Sequence, residues 1–82
     1  MMGDRAMYTK ADIQDWIVNA LASHGGEAHL IQVAKHIWEH HEDDLRSSGD
    51  LFYTWQYDMR WSAQNLRDKG KLEKLSKSWR LL

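Results

Sequence analysis

The sequence predicts an α+β domain: three helices, a short strand after the first of them, and a two-stranded hairpin at the C-terminal end. Three observations predict it. Apolar residues recur at helical spacing in three successive segments. Glycines stand where two of those segments should stop, at Gly25-Gly26 and at Gly70. Beyond Gly70 the apolar period changes from helical to alternating, as short strands require. The chain has 82 residues, which bounds it to one small domain with one shared core. At 43% hydrophobic residues with five tryptophans, it is too apolar to read as disordered.

Met1 to Tyr8 shows no strong period and reads as a flexible lead-in, leaving residues 9–82 as a single domain. Thr9 with Asp12 three residues on has the form of a helix N-cap. Ile13, Trp16, Ile17, Ala20 and Leu21 then fall on one helical face, and Gly25-Gly26 ends the segment. Glu27-Ala28-His29 is long enough for one extended pairing segment. The second helix is carried by Leu30, Val33, Ala34 and Ile37, with Trp38 or His41 completing its face. Its end is expected to dissolve in His40-His41-Glu42-Asp43-Asp44, with the acidic run as a solvated loop. Ser47-Ser48-Gly49-Asp50 is a turn signal in which Ser48 or Asp50 can cap the next helix. The third helix, from about Leu51 to Lys69, places Phe52, Trp55, Met59, Ser62, Ala63 and Leu66 on one face. Leu72 and Trp79-Arg80-Leu81 read as the two strands of the hairpin, with the turn near Leu75-Ser76-Lys77-Ser78.

This order is that of a winged helix-turn-helix domain, in which the hairpin forms a two-stranded wing. Within that class, Tyr57-Asp58-Met59-Arg60-Trp61-Ser62-Ala63-Gln64, Leu66-Arg67, Gly70, Leu72 and the closing Trp79-Arg80-Leu81 form a more particular pattern. It resembles the N-terminal winged helix domain of Mrr-type restriction proteins, most sharply at Arg60-Trp61, Leu66-Arg67 and Trp79. The wider resemblance runs from Thr9 onward. It implies DNA recognition by this module, with cleavage left to a separate nuclease domain. No nuclease region follows within these residues, so binding alone carries over.

Charge supports the same expectation independently. The net charge of −1 conceals ten acidic and four basic residues over positions 1–59, against two acidic and seven basic over 60–82. A basic end on an acidic body points to an anionic partner at that end, although lysines also guard exposed strand edges against pairing. If the third helix buries the face through Trp55, Met59, Ser62 and Leu66, its opposite face presents Tyr57, Arg60, Trp61, Gln64 and Arg67 or Asp68, with Asn65 on the flank. Arginine can bond a guanine edge with two prongs and glutamine an adenine edge. Alternatively, Arg60 pairs with Asp58 or with an acidic residue of the first two helices, and Gln64 is merely solvated. Lys71, Lys74, Lys77 and Arg80 are the phosphate candidates. Engagement of these four with Arg60 and Arg67 would release about four to six counterions, a log–log salt slope of roughly −4 to −5. Trp16, Trp55 and Trp79 are expected in the core; Trp61 is either covered by the wing or exposed to stack on a partner.

The remaining chemistry is thin. Zero cysteines exclude disulfides and thiolate zinc sites. His36 and His40 stand at i, i+4, a spacing used by zinc sites, but no third ligand is evident and Glu39 has the wrong offset for a metalloprotease. There is no nucleophile–base pair, no glycine-rich phosphate loop and no apolar run of bilayer length. The expectation is a non-enzymatic domain without metal or cofactor, in a bacterial cytoplasm, binding double-stranded DNA as a transcription regulator or accessory recognition module. The alternative is a protein-interaction or homodimerising winged helix, using Tyr53, Tyr57 and Trp61 as an aromatic docking face.

Overall fold

The computed structural model describes residues 10–47, 49 and 51–82. The lead-in, the cap at Thr9 and the candidate caps Ser48 and Asp50 therefore lie outside the described residues. The order is α1 Lys10–Ser23, β1 Glu27–His29, α2 Leu30–Arg46, α3 Leu51–Asp68, β2 Leu72–Lys74 and β3 Ser78–Leu81. The strands form one antiparallel sheet in the order β1-β3-β2. This is the α+β winged helix-turn-helix arrangement that the sequence predicts.

Glycine ends α1 and α3 in the same way. At the end of α3, Gly70 takes φ 75°, and the N–H groups of Gly70 and Lys71 donate to Arg67 O at 2.9 Å and Leu66 O at 2.9 Å. The end of α1 repeats this pair, with Gly25 donating to Ala22 O at 3.2 Å and Gly26 to Leu21 O at 2.7 Å. Both are Schellman closures, which need a left-handed residue after the last helical turn and so favour glycine. They turn the chain sharply enough to lay β1 and the wing back onto the helices. The start of α2 is capped less predictably. Ile31 N–H donates to His29 Nδ1 at 3.0 Å, and His29 N–H donates to Gln32 Oε1 at 3.0 Å.

The central strand is β3. It sets Trp79 opposite Ala28 of β1 and Lys74 of β2. One buried cluster draws on every element: Ile13, Trp16, Ile17, Ala20 and Leu21 from α1, Ala28, Val33, Ile37 and Leu45, then Trp55, Met59, Ala63 and Leu66 from α3, with Leu72 and Trp79 from the wing. Trp16, Trp55 and Trp79 are hidden together in this cluster, and each hidden ring removes a large apolar area from water.

The structure corrects the expected end of α2. The helix does not dissolve at His40–Asp44 but continues to Arg46, interrupted at His41, whose backbone is non-helical (φ −133°, ψ 20°). The His41 ring stacks on Trp16 of α1, centroids 3.9 Å apart and planes within 11°. The kink lets the last turn lean over the core so that Leu45 is fully buried. The acidic run Glu42-Asp43-Asp44 is thus a helical turn with its carboxylates on the outer side. Glu42 pairs with Arg46 at 2.9 Å, and Arg46 lies over the rings of Trp38 and Phe52. Leu45→Ala is expected to cost about 2–5 kcal/mol, a core-sized loss. Urea denaturation would check it; a shift below about 0.5 kcal/mol is what a solvated-loop residue would give.

Candidate nucleic-acid interface

Helix α3 is buried through Trp55, Met59, Ser62, Ala63 and Leu66, so the opposite side is turned to solvent. That side carries Tyr57, Arg60 and Trp61, with Gln64 half-buried at its centre and Asn65 and Arg67 exposed on its flanks. Tyr53 belongs to the same stripe, one turn before Tyr57. The three rings are strongly exposed: Tyr53 82%, Tyr57 64% and Trp61 53%. Tyr57 and Trp61 meet edge to face, centroids 6.3 Å apart at 67°. Of the two alternatives for Trp61, full cover by the wing is not what is found: the ring stays about half exposed, and the hairpin turns its large side chains, Leu72 and Trp79, into the shared core. Arg60 is exposed and has no ion-pair partner among the described residues. Asp58, its expected alternative partner, is buried on the other side of the helix and accepts from Thr54 Oγ1 at 3.0 Å.

The wing joins this face. Lys74 Nζ donates to Gln64 Oε1 at 3.4 Å, and Gln64 Nε2 donates to Asp68 Oδ1 at 3.3 Å. Arg67 reaches the same carboxylate at 3.4 Å. These are exposed contacts worth a few tenths of a kcal/mol, which a stronger anion would displace. Lys71 and Lys77 are exposed as well. Arg80 differs. It lies between Glu27 on β1 and Glu73 on β2 as their direct cross-strand neighbour. It pairs with Glu73 through two guanidinium nitrogens and with Glu27 at 3.8 Å. Nine of the ten predicted residues thus lie on the outward side of α3 or carry uncommitted or weakly held groups on the wing, while the tenth, Arg80, is ion-paired with two glutamates.

A second surface feature had no counterpart in the sequence reading. An open apolar groove of about 580 Å³ lies between α2 and α3, lined by Ile31, Ala34, Trp38, Phe52 and Trp55 with Lys35, Glu39 and Gln56 at its rim. The available signal was Ile31, an apolar residue off the buried face of its helix. The groove is separate from the cation-bearing stripe.

Four of the five histidines lie on α2 or just after α1, and the fifth, His29, ends β1. His36 and His40 stack with centroids 4.0 Å apart, and the His24 ring meets His36 edge-on at 5.9 Å. His40 Nδ1 lies 2.9 Å from His36 O, and His24 Nδ1 lies 2.9 Å from Ala20 O. Among the described residues no group of three His, Cys, Asp or Glu side chains is placed to hold a metal ion. Burial holds the His36 pKa below its ordinary 6.5, reinforced by repulsion from His40, His24 and His41 and opposed by Glu39. The unfolded chain titrates His36 at the ordinary value and so takes up its proton first. The His36 contribution to stability is therefore complete above that value and lost as pH falls through the lower folded one. The thermal midpoint should drop between about pH 7.5 and pH 5, and His36→Gln should shrink that drop; an unchanged difference would remove His36 as its source.

Among the described residues no helix is long and apolar enough to cross a membrane. Comparison of the chain with protein-family models, with curated proteins and with solved structures gives no match.

Proposed function

We propose that this domain binds DNA, presenting α3 to the major groove and laying Lys71, Lys74 and Lys77 of the wing against flanking phosphates. The observation that carries the reading is the Lys74–Gln64 contact at 3.4 Å, which puts a wing cation beside the outward stripe of α3 near its C-terminal end. A helix fits the major groove, and cations beside it meet the backbone that borders the groove. Arg60 is the residue best suited to a guanine edge, with Gln64 and Asn65 beside it for adenine or phosphate. Arg67 adds a phosphate contact once it leaves Asp68. Tyr57 and Trp61 border the groove-facing cations. The resemblance of residues 55–81 to the DNA-recognition domain of Mrr-type restriction proteins supports this reading, and the role proposed for the domain is that of a small regulator or accessory recognition module in the cytoplasm. The acidic body repels DNA elsewhere, so one copy should bind weakly and gain affinity from a second copy or a tethered module.

The test is an NMR titration of the labelled domain with a mixed-sequence duplex at low and moderate salt. Shifts confined to residues 57–67 and 71–77 and weakening steeply with salt support the reading. An unperturbed spectrum at low salt ends it.

A second reading, a protein-docking or homodimerising winged helix, rests on the same exposed rings of Tyr53, Tyr57 and Trp61. Sedimentation discriminates it: a concentration-dependent mass reduced by Trp61→Ala supports a homodimer, and a strict monomer at high concentration removes it.

A further inference from the structure

The exposed rings of α3 are poorly matched to an intact duplex. In paired DNA the bases are stacked on one another, so the major groove offers their edges and hides their faces. A helix lying in that groove can use Arg60 and Gln64, but three protruding rings find only edges and methyl groups there. Tyr53, Tyr57 and Trp61 are nonetheless the most exposed aromatic side chains of the described chain. They recur every fourth residue, which sets successive rings about 6 Å apart along the helix. Bases along one strand of a duplex repeat at about 3.4 Å, so the ring spacing suits a strand drawn out of its stack. The edge-to-face arrangement of Tyr57 and Trp61, at 67°, leaves each ring at least one face that the other does not use.

The surroundings say what class of molecule would use those faces. Arg60 lies between Tyr57 and Trp61 in the stripe, and Lys74 touches Gln64 one turn further on. Arg67 is exposed near the end of α3, and Lys71 and Lys77 are exposed on the wing. The carboxylate at this end of the stripe, Asp68, is already bonded to Arg67 and Gln64. Asp58 faces away from it, buried. Aromatic rings interleaved with cations form the combination that holds single-stranded nucleic acid, the rings taking bases and the cations following the backbone.

We infer that α3 stacks unpaired bases on Tyr53, Tyr57 and Trp61 while Arg60 and the wing lysines hold the strand's phosphates. The domain then prefers DNA with an opened or single-stranded stretch over a perfect duplex of the same sequence. This inference rests on the DNA-binding reading and narrows its substrate class.

Tryptophan fluorescence tests it directly, because Trp16, Trp55 and Trp79 are buried and Trp38 is half-buried, leaving Trp61 as the accessible emitter. The full chain is titrated with a mixed-sequence single strand of about 15 nucleotides, a length within the usual site sizes, and with the matching duplex, at equal low salt. The single strand should bind at least about 5-fold more tightly and quench the emission, as one stacked base predicts. Trp61→Phe should retain the affinity by anisotropy of a labelled strand while losing the quench. Trp61→Ala and Tyr57→Ala, each checked for an unchanged circular dichroism spectrum, should weaken single-strand binding by about 5-fold or more each. Duplex binding that equals or exceeds single-strand binding, or binding without a Trp61-dependent quench, overturns the inference and leaves the duplex reading standing. Absence of binding to either form overturns both.

Discussion

Trp79→Ala is expected to remove about 3–5 kcal/mol of stability, the usual cost of emptying a buried tryptophan site. At about 0.05–0.15 kcal/mol per residue, an 82-residue chain has roughly 4–12 kcal/mol in all. The substitution therefore removes a large fraction of the total and at the lower end leaves mostly unfolded protein. Position makes the loss severe. Trp79 sits on the central strand, with Ala28 opposite it on one side and Lys74 on the other, and its ring is buried with α1 and α3. Removing it loosens the docking of β1 and of the wing in one step, so the hairpin that carries Lys71, Lys74 and Lys77 loses its fixed position beside α3. Urea denaturation followed by circular dichroism reads the effect. A loss below about 1 kcal/mol, which surface substitutions give, would mean that the ring is not the keystone of the sheet.

The fold was largely legible because its signals were local. The apolar spacing of Ile13, Trp16, Ile17, Ala20 and Leu21 marks a helix face without reference to anything else, and Gly70 marks a helix end by its own backbone freedom. What escaped the sequence depended on partners far along the chain. Leu45 belongs to the core only because His41 leaves the helical conformation and lies flat on Trp16. No window centred on His40–Asp44 contains Trp16, and the acidic run there argues for a loop. The cap supplied by His29 was hidden for a different reason. Histidine is an uncommon capping residue, and its Nδ1 serves here because the strand before α2 holds the ring over Ile31 N–H.

The candidate interface divides along the same line. Periodicity alone separates the buried face of α3 from its outward face, so Tyr57, Arg60, Trp61 and Gln64 could be named from spacing. The state of Asp58 could not. Its position one step from the outward residues suggests a partner for Arg60, whereas the turn of the helix carries it to the buried side beside Thr54. Arg80 shows the larger gap. Its neighbour Glu73 is on the adjacent wing strand, but Glu27 lies on β1, and the sequence does not reveal that β1 pairs with β3 rather than standing alone. Register decides whether a wing cation is available to phosphate, and register is a property of the assembled sheet.

That distinction yields the largest expected effect on binding. Replacing Lys71, Lys74 and Lys77 together with glutamine should lower the log–log salt slope of duplex binding by about 2.7, close to 0.9 per phosphate contact. Each contact also contributes about eightfold at 0.1 M salt relative to the 1 M extrapolation, so the triple variant should bind about 500-fold more weakly there. The substituted side chains are solvent-facing, so the fold should be unaffected and the loss electrostatic. Arg80→Gln is the matched control. Its charge is held by Glu73 and Glu27, so releasing a counterion to bind phosphate would first require breaking both pairs. Its removal should change the slope by less than about 0.3, a fraction of one phosphate contact. Isotherms at four or five salt concentrations for the parent and both variants measure this. A slope change for Arg80→Gln equal to that of a single lysine would mean that DNA displaces the carboxylates. A slope unmoved by the triple substitution would take the phosphates off the wing altogether and leave α3 as the sole contact. Because the two variants differ in partners and not in the sign of the charge removed, unequal effects would tie binding to the sheet register that exposes three lysines and silences the arginine.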